Sequence, residues 1–383
     1  MEYLKNVKKD FKLKHYINYF VIIAFLILVI ALNSAGVLGK GDRSTIAKIA
    51  FSIILAVSLN LVVGFLGELS LGHAGFMCVG AYIGCYFTNL EGIGNNLLTF
   101  IIAMLIGGTI AAVFGFVIGL PALRLKGDYL AIATLAFGEI VRNIFKNLEI
   151  FGGAKGLTTQ LYNGKTLYIV AIVTMLIVLF LSQNLIRSKH GRAVTAIRDN
   201  EIAAKAMGIN VTFYKLMIFI ISAFFAGVAG VIYGKTIGTV RQENFSYNYS
   251  IEILVMVVLG GMGSINGSII AAAIITYINT VLQSQLSGPL APVKSIVYGG
   301  ILIVIVLINN APAFKPLKEK LNFFGRIKTL TKKSRKPETI HDDAAEWNRI
   351  ESKINMDELL TVDVNFNENN VENEEQTGSK EGE

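Results

Sequence analysis

Long apolar runs alternate with short polar intervals over most of this chain. Runs of close to 20 residues with few or no charges begin near Asn18, Ile46, Leu69, Leu97, Tyr129, Leu167, Lys215 and Val293. About 20 residues at ~1.5 Å per residue cross the ~30 Å hydrocarbon core of a bilayer. The pattern predicts membrane-spanning helices over 18–38, 46–66, 69–88, 97–120 (ended by Pro121), 129–145, 167–186, 215–234 and 293–310. One apolar run, 251–282, is too long for an ordinary span. Its middle, GGMGSING over Gly260–Gly267, is rich in helix breakers. It reads as two segments about a break, re-entrant in one version. In lipid every backbone polar group must be satisfied internally, so the fold class is all-α: a polytopic transmembrane helical bundle of about ten spans (about eight to ten). The spans are dense in pairs of small residues four apart, such as Gly80/Gly84, Ala226/Gly230 and Gly230/Gly234. Such pairs let helix backbones approach closely, which points to bundle packing and not to a ligand.

Composition agrees with this pattern. Apolar residues make up 53% of the chain and charged residues 16%, and mean hydropathy is +0.56. The net charge of +8 sits in loops and termini, as the positive-inside rule requires, and does not call for nucleic acid. Residues 1–17 form a basic cytoplasmic N-terminus. Residues 18–312 form the transmembrane domain, 313–336 a basic juxtamembrane segment, and 337–383 an acidic, Asn-rich tail with too little apolar sequence to order. Both termini are expected on the cytoplasmic side. The first apolar run is too long for a signal-peptide core and is read as a retained span. Cys78 and Cys85 lie ~10 Å apart along one helix, beyond disulfide reach, and read as small packing residues.

The longest polar interval between spans is 187–214. Asp199 and Asn200 can cap a short helix there, Glu201 strengthens its start, and Gly208 can end it. A short helix rich in small residues suits docking on another protein; a plain connection on the positive side of the membrane is the other reading. No G-x-x-x-x-G-K-[ST] sequence occurs, so the chain does not itself cradle ATP phosphates. The four histidines show no metal spacing, and no nucleophile and base come together; no cofactor and no metal are expected. The remaining chemistry is polar residues at membrane depth. Glu139 and Arg142, three apart, can pair on one helix face. Asn60 suits an interhelical hydrogen bond. His73 and Glu68 fall near the cytoplasmic end of the third span, in a structural role. Glu252 falls near the outer face, where it meets substrate or partner or is simply solvated. An intramembrane enzyme would need Glu139 and His73 to converge.

Five blocks carry a resemblance: Leu59–Tyr82, Lys126–Phe145, Gly152–Leu157, Gly191–Leu216 and Ser250–Ala273. In order and spacing they are similar to the M-type permease of bacterial branched-chain amino acid ABC importers, over about residues 20–312. The resemblance implies an inner-membrane permease that works with a homologous second permease, two cytoplasmic ATP-binding subunits and an external solute-binding protein, ATP being used by the partners. It implies that 187–214 is a coupling loop, with Arg192, Arg198, Glu201, Ala203, Ala204 and Gly208 at the ATPase contact. Here the family-like E-A-A…G pattern is interrupted by Ile202, and no Leu-Pro follows. Asn60, His73, Glu139, Arg142 and Glu252 are the translocation-path candidates. Leucine, isoleucine or valine is the implied cargo; urea or a short amide carried by the same machinery, and a transporter or channel working without ATPases, are the alternatives.

Overall fold

The computed structural model describes residues 39–90, 96–125, 127–159, 164–285 and 299–300. The first and last predicted spans and the acidic tail lie outside these residues, apart from a helical pair at 299–300. Apart from one two-residue pairing of strands, the regular elements among the described residues are all helices. Helix α1 (Lys40–Asn60) runs into a π-helical turn at Leu61–Leu66. It is followed by α2 (His73–Asn89), α3 (Leu97–Ala122), α4 (Asp128–Asn147) and α5 (Gly164–Arg187). Two short helices, α6 (Lys189–Asp199) and α7 (Glu201–Ala206), fill the polar interval. Then come α8 (Val211–Ile237), α9 (Tyr247–Gly260) and α10 (Ile265–Gln285). Strands β1 (Leu157–Thr158) and β2 (Thr239–Val240) pair antiparallel. Five helices in the described residues are long and apolar enough to cross a membrane.

α1 is the centre of the bundle. It packs against α5, α8, α9 and α10, and 89% of its apolar window is buried inside the protein, against 28% for α10. The outer helices show apolar faces instead: Leu98, Leu105 and Val117 on α3, and Ile177 and Phe180 on α5, are exposed. In a soluble protein such faces would aggregate. Around a bundle of this hydropathy they meet acyl chains.

Glycines set close helix contacts. α2 crosses α8 where Gly80 meets the backbone of Gly227 and Gly230 meets the carbonyl of Met77. A Cβ at either site would strike main-chain atoms. Cys78 and Cys85 are buried free thiols in the same helix, in the packing role expected of them.

The structure departs from the predicted elements in four places. The third span begins at His73 and not at 69, because the chain leaves the π-turn through Gly67 at φ +84° and runs non-helical to Gly72. α3 runs one residue past Pro121, which sits in its last turn. The polar interval holds two helices where one was expected: Ser188 accepts from the Gly191 N–H and starts α6. α8 covers Val211–Ile237 and not 215–234: it starts after Asn210, whose side chain accepts from the Phe213 N–H, and stops at Gly238 with φ +82°. The break inside 251–282 is present as expected. Gly261 and Gly263 take φ of +87° and +80°, which L side chains rarely adopt, and the chain turns there.

Candidate functional site

Two interruptions of helix lie next to each other at one end of the bundle, the π-turn with the non-helical 67–72 and the 261–264 turn. Non-helical backbone at membrane depth is tolerated only where its N–H and C=O groups find partners. Here side chains supply them. Asn60, fully buried, receives the Gly263 N–H at 2.9 Å on Oδ1. Its Nδ2 donates to the Ser264 carbonyl at 3.1 Å and to Ser268 Oγ at 3.0 Å. The Leu71 N–H donates to Thr134 Oγ1 and the Ala74 N–H to Ser250 Oγ, both at 3.0 Å. His73 Nε2 lies 2.8 Å from Ser58 Oγ. Asn60 therefore makes the interhelical bond expected of it, and pins the 261–264 turn to the central helix.

The α6–α7 hairpin is tied to both interruptions. Asn200 caps α7 by accepting from the Ala203 N–H, as its sequence position predicts. Arg198 donates from Nη1 to the Gly64 carbonyl inside the π-turn at 3.1 Å, and also pairs with Asp199. Lys215, buried in the first turns of α8, donates to Glu68 of the non-helical segment at 2.5 Å and to Glu201 of α7 at 3.1 Å. One ammonium group thus joins three chain segments. Sequence reading passes over Lys215 because it stands at the edge of a predicted span; the available signal was a lysine at the mouth of an apolar run, with acids on two flanking segments.

The remaining residues of the polar interval divide by exposure. Ala204 is buried against the chain's own bundle, whereas Ile202 and Met207 are 81% and 83% exposed. Arg192 and Ala203 are exposed. Gly208 takes φ +82° with open space where a Cβ would lie. A larger residue there would act by backbone strain of ~1 kcal/mol and not by collision.

Glu139 and Arg142 pair at 2.9 Å, with side chains 26% and 29% exposed. Glu139 lies ~16 Å along α4 by helical rise, and its Oε1 also receives the Tyr247 N–H at the start of α9. The adjoining surface of α4 exposes Ile132, Ile140 and Ile144 together with Asn143. An ion pair beside an apolar stripe does not suit lipid; it suits a protein partner or a wet path. His73 is held by Ser58, and Glu139 by Arg142 and the Tyr247 N–H. Glu252 accepts from Asn279 at 2.9 Å and lines a cavity at the opposite end of the bundle from α7.

Residues 43–306 match the family described as branched-chain amino acid transport system / permease component. The chain belongs to that family. It is 34% identical over 314 residues to the high-affinity branched-chain amino acid transport system permease protein LivM of Salmonella typhimurium, covering 73% of this chain and 72% of that protein. It is 27% identical over 312 residues to the probable LivM permease of Methanocaldococcus jannaschii, covering 69% and 90%. It is 24% identical over 277 residues to the LivH permease of Salmonella typhimurium, covering 67% and 88%. The chain is thus a multi-pass membrane permease subunit, and its relatives include two distinct permeases, LivM and LivH. The match begins three residues into α1, so the π-turn, the 261–264 turn and the α6–α7 hairpin all fall within the family region.

This permease is expected to be sensitive at Gly64. A methyl there would strike the Asn60 carboxamide and the Gly263 N–H. Gly64→Ala should lower stability by about 2–4 kcal/mol through the lost network and the collision. A thermal melt of the purified variant checks this, with Gly41→Ala, where nothing lies within 4 Å, as the unaffected control.

Proposed function

We propose that this chain forms half of the pore of an ABC importer for leucine, isoleucine and valine, paired with a homologous second permease. The α6–α7 hairpin lies in the cytoplasm and docks an ATPase subunit through Ile202 and Met207. The opposite end, with β1, β2 and the Glu252 cavity, faces outward and receives an external solute-binding protein. The pore runs along the α4 face that carries Glu139 and Arg142, and the second permease closes it. The observation that carries this reading is the network from Glu201 and Arg198, through Lys215, Glu68 and Gly64, to the Asn60-held turn. A push on the α6–α7 hairpin reaches the 67–72 segment through Lys215 and the π-turn through Arg198, and the 261–264 turn packs against that π-turn at Gly64. ATP binding and hydrolysis in the partners would thereby shift the bundle between outward-open and inward-open states, a bistable element biased at one end.

Uptake of labelled leucine by cells with and without the chain, competed by isoleucine, valine, urea and ribose, tests the function. Loss of uptake without the chain, with competition by isoleucine and valine alone, is the expected result. Unchanged leucine uptake with altered urea uptake would move the cargo to urea. The docking assignment has its own test. Ile202→Asp and Met207→Asp place a charge on side chains more than four-fifths exposed, so folding should be untouched. Uptake should fall at least about tenfold, because a buried uncompensated carboxylate at a docking surface costs upwards of ~1.4 kcal/mol. Normal uptake and normal ATPase co-purification in both variants would remove the docking role from this hairpin.

A further inference from the structure

Another cavity, of about 210 Å3, lies at the hairpin end of the bundle, between the last turns of α5, the π-turn and the first residues of α10. Gln183 and Arg187 of α5 line it, with Phe65, Ile186 and Ile265 as apolar surface. Gln183 is 4% exposed, and its buried carboxamide oxygen has no hydrogen-bond partner within the protein. Buried polar groups are as a rule satisfied, so an orphan acceptor at a cavity wall marks a place for a ligand that carries a donor. Arg187, about one helical turn further on, is exposed. Among the described residues no carboxylate pairs with it.

The setting narrows the ligand. α5 packs on α1, α6 and α8, and no residue of α4 lines the cavity. Val173 and Ile177, exposed on the side of α5 that carries Arg187, continue an apolar surface into the membrane. A cation in the last turn of a lipid-facing helix stands at headgroup level, and basic pockets between membrane helices suit phosphate headgroups. A bare phosphate would meet Arg187 and leave the Gln183 oxygen without a donor. A small polar solute would leave the apolar walls uncovered. A phospholipid with a hydroxyl beside its phosphodiester supplies an anion, a donor and apolar surface together. We propose that this cavity binds one anionic phospholipid of that chemistry, such as phosphatidylglycerol. Arg187 takes the phosphodiester, and the Gln183 oxygen accepts from the headgroup hydroxyl. Phe65, Ile186 and Ile265 cover the glycerol backbone, and an acyl chain follows Val173 and Ile177 along α5. So held, the lipid ties the end of α5 to the chain just after the 261–264 turn. The site is independent of which solute the permease carries.

The test uses the full chain with its co-purifying partners in detergent, and native mass spectrometry reads the affinity of the first lipid bound. Three lipids with the same acyl chains are compared: phosphatidylglycerol; phosphatidylmethanol, which is anionic and lacks the hydroxyl; and phosphatidylcholine, which has neither net charge nor donor. Phosphatidylglycerol is expected to bind about threefold tighter than phosphatidylmethanol and at least about tenfold tighter than phosphatidylcholine. Gln183→Leu should erase the difference between the two anionic lipids. Arg187→Gln should weaken both of them about tenfold. Lys189→Gln removes the same charge from an exposed residue outside the cavity, and should leave phosphatidylglycerol within about twofold of its former affinity. If a variant does not fold, the lipid series on the unaltered protein makes the same comparison. Equal binding of phosphatidylglycerol and phosphatidylcholine would overturn the site. So would equal losses in Arg187→Gln and Lys189→Gln, which would reduce the effect to attraction by a basic surface. Displacement of phosphatidylglycerol by glycerol 3-phosphate at matching concentration would overturn the lipid as the source of the phosphate.

Discussion

Lys215→Met is expected to abolish uptake and to lower the stability of the permease by about 3 kcal/mol. The side chain of Lys215 is 5% exposed and that of its partner Glu68 is 13% exposed. Removing the ammonium group leaves the Glu68 carboxylate almost dry and without its counter-charge. Breaking a buried pair from one side costs about 3–5 kcal/mol, because the surviving ion keeps its desolvation penalty. Glu201 adds little to that figure, since its side chain is 36% exposed and water can take over its solvation. The double variant Lys215→Met/Glu68→Leu separates the two roles of the triad. It removes both buried charges, so most of the lost stability should return. Uptake should not return, because α7 is then untied from the non-helical segment. Thermal melts and leucine uptake, measured on both variants, give the comparison. Recovery of uptake together with stability would show that the triad only holds the fold, and would take Lys215 out of the coupling route.

The residues of this route differ in how far the sequence shows them. Glu201, Arg198 and Asn200 stand in one polar interval, and their roles at a helix start follow from local chemistry. Asn60 is also legible: a carboxamide inside an apolar run needs a partner, and another helix is the nearest source. Glu139 and Arg142, three apart on α4, pair by helical geometry alone. Glu68 and Lys215 are different. They are 147 positions apart, and only the packing of α8 beside the non-helical segment makes them neighbours. The start of α2 hides for a related reason. Residues 69–72 are as apolar as a helix requires, and only Gly67 with its positive φ, and the Thr134 and Ser250 hydroxyls supplied from α4 and α9, make the open backbone affordable. The break at 261–264 was plain because its glycines are consecutive enough to override the apolar run. The outward faces of the α6–α7 hairpin could not be read from the pattern, since Ala204 turns inward while Ile202 turns out.

The second large effect is expected from one methyl group at the crossing of α2 and α8. Gly80→Ala should leave little or no folded permease, and Gly230→Ala should do the same. Most glycine-to-alanine changes in a helix are mildly stabilising, because alanine restricts the unfolded chain. Here the sign reverses. The Cβ at Gly80 would fall on the Cα, carbon and oxygen of Gly227, and the Cβ at Gly230 on the carbonyl of Met77. These are backbone atoms, which cannot rotate aside as a side chain does, so the helices must separate. Separation is costly in this place for two reasons. Without a hydrophobic drive between helices in lipid, close van der Waals contact is the main attraction, and it weakens steeply with distance. α8 also carries Val231 against Gly84 of α2 and Gly107 of α3, so a shift at one glycine opens the others. The loss should exceed about 4 kcal/mol, the range reserved for overpacking a rigid contact. Size-exclusion elution of the tagged permease from membranes, with Gly41→Ala alongside, reads the result. A monodisperse Gly80→Ala protein with normal uptake would mean that α2 and α8 do not cross at these glycines, and the packing that places Lys215 beside Glu68 would have to be redrawn with it.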